Sequence, residues 1–175
     1  MKECILKKKG LKLTSQMSII IAVLFAVVFI SLGLTIYVKT TETIQEMTSE
    51  KAQTDLKLTE EVLDYWYPGE WNVVSGELYK GQVPVSNDMV DRVTAITNGP
   101  STIFLGDTRV ATTVERDGQR VVGTVASKEV VTAVLENEEM YIGTAEVAGE
   151  KNQTAYEPIY DATGNIVGID RKSVV

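Results

Sequence analysis

Histidine is absent from this sequence, cysteine occurs once, at Cys4, and proline four times in 175 residues. The missing histidine removes the commonest proton-transfer side chain and the usual metal ligand. One cysteine can form neither an internal disulfide nor a thiolate metal cluster. No phosphate-cradling glycine loop and no nucleophile elbow is present, and no carboxylate pair is singled out by spacing. No catalytic residue, metal site or cofactor is therefore expected. Charge is missing altogether from residues 17–38, "MSIIIAVLFAVVFISLGLTIYV".

That neutral block is long enough to cross a bilayer as a helix. It exceeds the apolar region of a secretory signal, and no small-residue cleavage site follows it. It reads as an uncleaved transmembrane helix. Residues 1–16 hold five lysines against one glutamate, a balance of +4, so the remainder of the −7 chain carries −11. By the positive-inside rule the basic tail is cytoplasmic and the body lies outside the cell, making a single-pass protein of the cell membrane. An acidic outer body repels phosphate, which excludes nucleic acid as a partner.

Residues 39–65 contain no Gly or Pro, and apolar residues recur there at roughly helical spacing, from Ile44 to Trp66. This predicts a long helix rising from the membrane until Pro68-Gly69 stops it. "WNVVSGELYKG" (71–81) reads as a hairpin, and "SNDMVDRVTAITNG" (86–99) as a short helix. Strands then flank Gly106-Asp107, and Asp117-Gly118 makes a turn. A second short helix starts at Ser127, and three strands follow in "MYIGTAEV", "QTAYEPIY" and "NIVGI". The expected class is α+β, a long N-terminal helix (transmembrane plus stalk) packed on an antiparallel sheet with short helices.

The strings "YPGEW" with "GELYKG", "IFLGDTRVATTV", "GTVASKEVVTAVLEN" and "YEPIYDATGNIVG", in this order, resemble the single-Cache sensor domains of bacterial transmembrane receptors. The nearest likeness is to the input domain of methyl-accepting chemotaxis proteins. The resemblance implies a PAS-like sheet, a small-molecule ligand (often an organic acid), a homodimer and transmembrane signalling. In such receptors the last strand continues apolar into a second span and a signalling half. Here "IVGIDRKSVV" turns charged, so the expected organisation is a cytoplasmic tail (1–16), a span (17–38), a sensor domain (39–170) and a truncated end (171–175). The alternatives are the input domain of a sensor kinase and a membrane-anchored structural or partner-binding protein.

Arg109 stands alone in the strand-like run around it. Strand alternation places Arg109, Ala111 and Thr113 on one face and Val110, Thr112 and Val114 on the other. The resemblance implies that a cation here holds the ligand, and a guanidinium suits a carboxylate because it offers paired donors and stays charged. A surface pair with Asp107 or Glu115 is the plainer alternative. The candidate ligand-binding residues are Arg109, Thr113, Lys80, Tyr79, Trp71, Arg92, Tyr141 and Tyr156, around a pocket between the sheet and the segment 71–92.

Overall fold

A computed structural model describes residues 13–147 and 150–174. The basic tail through Leu11-Lys12, including Cys4, and Val175 lie outside them. The chain divides into a unit ending at Ile44 and a unit running from Gln45 to Val175.

The first described element is helix α1 (Leu13–Trp66). In the first unit its apolar side chains are exposed all round, as at Phe25, Phe29 and Ile30, and this stretch is long and apolar enough to cross a membrane. In the second unit α1 is one-sided. Ala52, Asp55, Leu56, Thr59 and Leu63 are buried, and their three- to four-residue spacing defines a single helical face.

The second unit has the α+β fold expected from sequence. After α1 come β1 (Trp71–Val74), β2 (Glu77–Lys80) and β3 (Val83–Pro84), which form a small sheet, then α2 (Asn87–Thr97). Asn98 caps α2 in the left-handed conformation, with φ 57°, its N–H donating to the carbonyl of Thr94. Strands β4 (Ser101–Leu105) and β5 (Thr108–Thr112) turn about Gly106. A ribbon follows, β6 (Glu115–Arg116) and β7 (Gln119–Arg120). The short helix α3 (Lys128–Val131) runs on as a π-helical turn, Thr132–Glu136. Strands β8 (Tyr141–Val147), β9 (Glu150–Tyr160) and β10 (Ile166–Val174) complete the main sheet. Its order is β5-β4-β10-β9-β8, with antiparallel pairing between neighbours.

Two differences from the sequence reading matter for the site. Strand β10 does not leave the fold at Asp170. It continues through Asp170, Arg171 and Lys172 to Val174 as the central strand, and all three charged side chains are buried. Arg171 and Lys172 are tolerated there because the residues around the strand supply polar partners. Arg171 donates to Thr102 Oγ1 at 3.3 Å and to Ser173 Oγ; Lys172 donates to Thr97 Oγ1 and, at 2.7 Å, to the carbonyl of Gly99. Second, the pairing of β4 with β5 shifts by one residue: Ile103 faces Ala111, but Phe104 faces Arg109. Val110 is the extra residue of a β-bulge, and it breaks the strict alternation assumed from sequence.

The sheet buries both faces. Leu63 of α1, Met89, Val90 and Val93 of α2, and Ile103, Ala111 and Ile159 of the sheet form one core. Phe104, Tyr156 and Ile169 pack on the other face under Val130 and Val134. Each such fully buried aliphatic or aromatic side chain contributes about 1.5–3 kcal/mol. At the centre, Gly168 allows β10 to approach β4 closely: a Cβ there would lie 2.0 Å from the carbonyl oxygen of Phe104.

Candidate ligand pocket

The bulge decides where Arg109 goes. It places Arg109 beside Phe104 on the face under α3, while Ala111 turns to the opposite core. Arg109 then projects into a cavity of about 510 Å³ walled by Phe104, Val125, Ala126, Ser127, Tyr141 and Tyr156. That volume suits a small molecule. The guanidinium carbon lies 5.2 Å from the centre of the Phe104 ring.

The segment between β7 and α3 straps the edge of β5. The Arg109 N–H donates to the carbonyl of Thr124 at 2.9 Å, Gly123 N–H donates to the carbonyl of Arg109 at 2.8 Å, and Ala126 N–H donates to that of Asp107 at 2.9 Å. The side chain is held by the same strap, with Nη1 donating to Thr124 Oγ1 at 2.6 Å and to the Val121 carbonyl at 3.3 Å. The strap is itself tied down where Arg120 forks onto Asp91 of α2 at 2.8 and 3.0 Å. Arg109 is thus aimed before any ligand arrives, and its Nε carries no hydrogen bond.

A second arginine stands behind the cavity wall. Arg171 is 1% exposed, pairs across the sheet with Thr102 and Tyr156, and sits 5.9 Å from the centre of the Tyr156 ring. Its Nε is also without a hydrogen bond. Among the described residues neither Arg109 nor Arg171 makes a salt bridge. Burial and then the nearby charge of Arg171 push the Arg109 guanidinium down to about 10. Burial likewise pulls Arg171 below its ordinary value. Two desolvated cations that repel one another favour an anion between or beside them.

The aromatic wall is built from Tyr141 on β8 and Tyr156 on β9, paired edge-on with centroids 5.9 Å apart. Gly143 makes room for the Tyr141 ring: a Cβ at Gly143 would come within 2.6 Å of the Tyr141 hydroxyl.

Of the residues singled out from sequence, Arg109, Tyr141 and Tyr156 therefore share one cavity. The others do not reach it, and the cavity lies under the strap and α3 rather than beside segment 71–92. Thr113 lies beyond the bulge, where Ser101 N–H donates to its hydroxyl at 3.0 Å. Lys80 and Trp71 line a different cavity. Tyr79 is on the hairpin strand β2, its hydroxyl 3.5 Å from Glu77. Arg92 is exposed on α2, over the ring of Trp66 at 5.6 Å. Asp107 accepts from Thr108 at 2.9 Å and Glu115 approaches Arg120 at 4.0 Å, so neither pairs with Arg109. Sequence reasoning missed Arg171 and Thr124. Strand period would have found Arg171 had β10 been extended, since Ile169 and Arg171 share a face.

The family described as single Cache domain 3 matches residues 81–170. The sensor domain of E. coli DcuS is similar in structure at a TM-score of 0.42 and 13% identity, covering 50% of this chain and 64% of that one. No curated protein matches. The family match spans more than half the chain and takes in Arg109, Tyr141 and Tyr156, so the chain belongs to the single Cache domain 3 family of sensory input domains.

Proposed function

We propose that the chain is the extracytoplasmic input of a single-pass transmembrane chemoreceptor, and that it senses a small organic carboxylate in the cavity at Arg109. Family membership supports a sensory role, and the apolar stretch of α1 supports attachment to a membrane. The observation that carries the ligand class is the pair of half-buried Arg109 and fully buried Arg171, two guanidiniums each with an unpartnered Nε and without a carboxylate partner among the described residues. In this reading Arg109 contacts the carboxylate, Arg171 adds positive potential through Tyr156, and the tyrosine rings cover the apolar body.

The test is calorimetric titration of the full chain in detergent micelles with a panel of small mono-, di- and tricarboxylates. At least one should bind saturably. Arg109→Ala should weaken it by about 10- to 100-fold, the loss expected for a charge-assisted hydrogen bond. Arg109→Lys should rescue only in part, because lysine lacks the planar fork. If no carboxylate binds, or Arg109→Ala binds as wild type does, the ligand assignment fails. Chemotactic output is tested separately. Deleting the gene should abolish attraction to the bound carboxylate; normal attraction with a lost transcriptional response would point to a sensor kinase instead.

A further inference from the structure

The opposite face of the sheet holds a cavity of reversed polarity. It encloses about 370 Å³ between the 60–71 segment and strands β2, β9 and β10. Six carboxylates line it: Glu60, Asp64, Glu70, Glu157, Asp161 and Asp170. Lys80 is the one cation in its wall, and that ammonium is engaged by Asp64 and lies 5.2 Å over the Trp71 ring.

Asp170 is the telling member. It is 5% exposed, it faces the cavity, and its Oδ1 has no hydrogen-bond partner. Its neighbours Glu157 and Glu60 repel it, and burial and this repulsion lift its carboxyl to about 7. Lys172 offsets part of that charge, but gives its hydrogen bonds to Thr97 and Gly99. Burying an acceptor without a donor costs about 1–3 kcal/mol. A ligand bringing donors and positive charge would remove that cost.

We propose that this cavity is a second binding site, which takes a small organic ammonium ion with its charged end on Asp170 and Glu157. An ammonium offers three donors to groups that only accept. A bare metal ion fits less well, because no group of three carboxylates among the described residues is spaced to hold one. The rest of the wall favours a carbon skeleton: Leu63, Trp71, Pro158 and Ile159 are apolar, and an indole face attracts a cation. Because Asp170 and Arg171 are consecutive in β10, the two cavities lie back to back on one strand with opposite charge preference.

The test uses the full chain in detergent micelles at about pH 8, above the carboxyl value of about 7. Butane-1,4-diamine is titrated calorimetrically at constant ionic strength, with calcium and sodium chlorides as controls. Saturable diamine binding is expected, weakened about tenfold or more in Asp170→Asn and in Glu157→Gln, as loss of a charged acceptor implies. Should the buried variants fail to fold, Glu60→Gln, on an exposed position of α1, should still weaken diamine binding. Arg109→Ala should leave it unchanged, which separates this site from the carboxylate site. Absence of saturable binding, equal binding by the Asp170, Glu157 and Glu60 variants, or an equal response to calcium would each overturn the proposal.

Discussion

At the scale of single residues, the arginine pair has opposite consequences for binding and for stability. Arg171 is fully buried with its Nε unsatisfied, so its charge is a burden to the empty fold. Replacing a buried ion by an apolar residue of similar volume is often neutral or stabilising. Arg171→Met should therefore leave the unliganded melting temperature unchanged or higher, while weakening carboxylate binding about tenfold through the lost potential. A lower melting temperature together with unchanged affinity would assign Arg171 a purely structural role. Gly143 gives a second probe. The three atoms nearest to an alanine Cβ there all belong to the movable ring of Tyr141, so Gly143→Ala should shift that ring and cost a few-fold in carboxylate affinity with little change in melting temperature. Unchanged affinity would remove Tyr141 from the wall.

At the scale of elements, β9 and β10 carry a pH response. Burial, and then repulsion from Glu60, raises Glu157 from 4.5 to about 7; burial, and then repulsion from Glu157, raises Asp170 from 3.8 to about 7. The folded chain thus holds more protons than the unfolded chain between about pH 4 and 7, and stability falls as pH rises through that window. Lys172, lowered by burial to about 8, acts in the other direction at higher pH. Melts of the full chain should show higher stability at pH 5.5 than at 7.5, and Asp170→Asn should flatten the slope. A melting temperature that climbs from pH 5 to 7 would contradict this account. These same strands mark where the sequence was legible. The hairpin at Ser75-Gly76, α2 with its Asn98 cap, and the turns at Gly106, Asp117-Gly118 and Asp161–Gly164 were readable because local residue chemistry fixes them. Arg109, Tyr141 and Tyr156 were readable as candidates. The bulge at Val110 and the burial of Asp170-Arg171-Lys172 were not, since both depend on partners distant in sequence, Phe104 and Thr102 among them.

At the scale of the whole molecule, a receptor of this kind is expected to work as a homodimer. The Ala52–Leu63 face of α1 is already covered within its own unit, so self-association must use other positions, and Met47 is 65% exposed. With Cys4 replaced by serine, Met47→Cys in native membranes should form a disulfide-linked dimer under mild oxidation; monomer alone would count against both the dimer and the external placement of this residue. The sheet order has a further consequence, for biogenesis. The β4–β5 and β8–β9 hairpins are joined only through β10, which is formed last and sits between them. If the domain lies outside the cell as proposed, a chain emerging from a translocation channel can close each hairpin early, yet neither has its inner edge covered until Val174 has cleared the channel. The domain therefore matures in a single late step. Until then two sheet edges stay open, and a chaperone or a stray strand from a second nascent chain competes with β10 for the same slot.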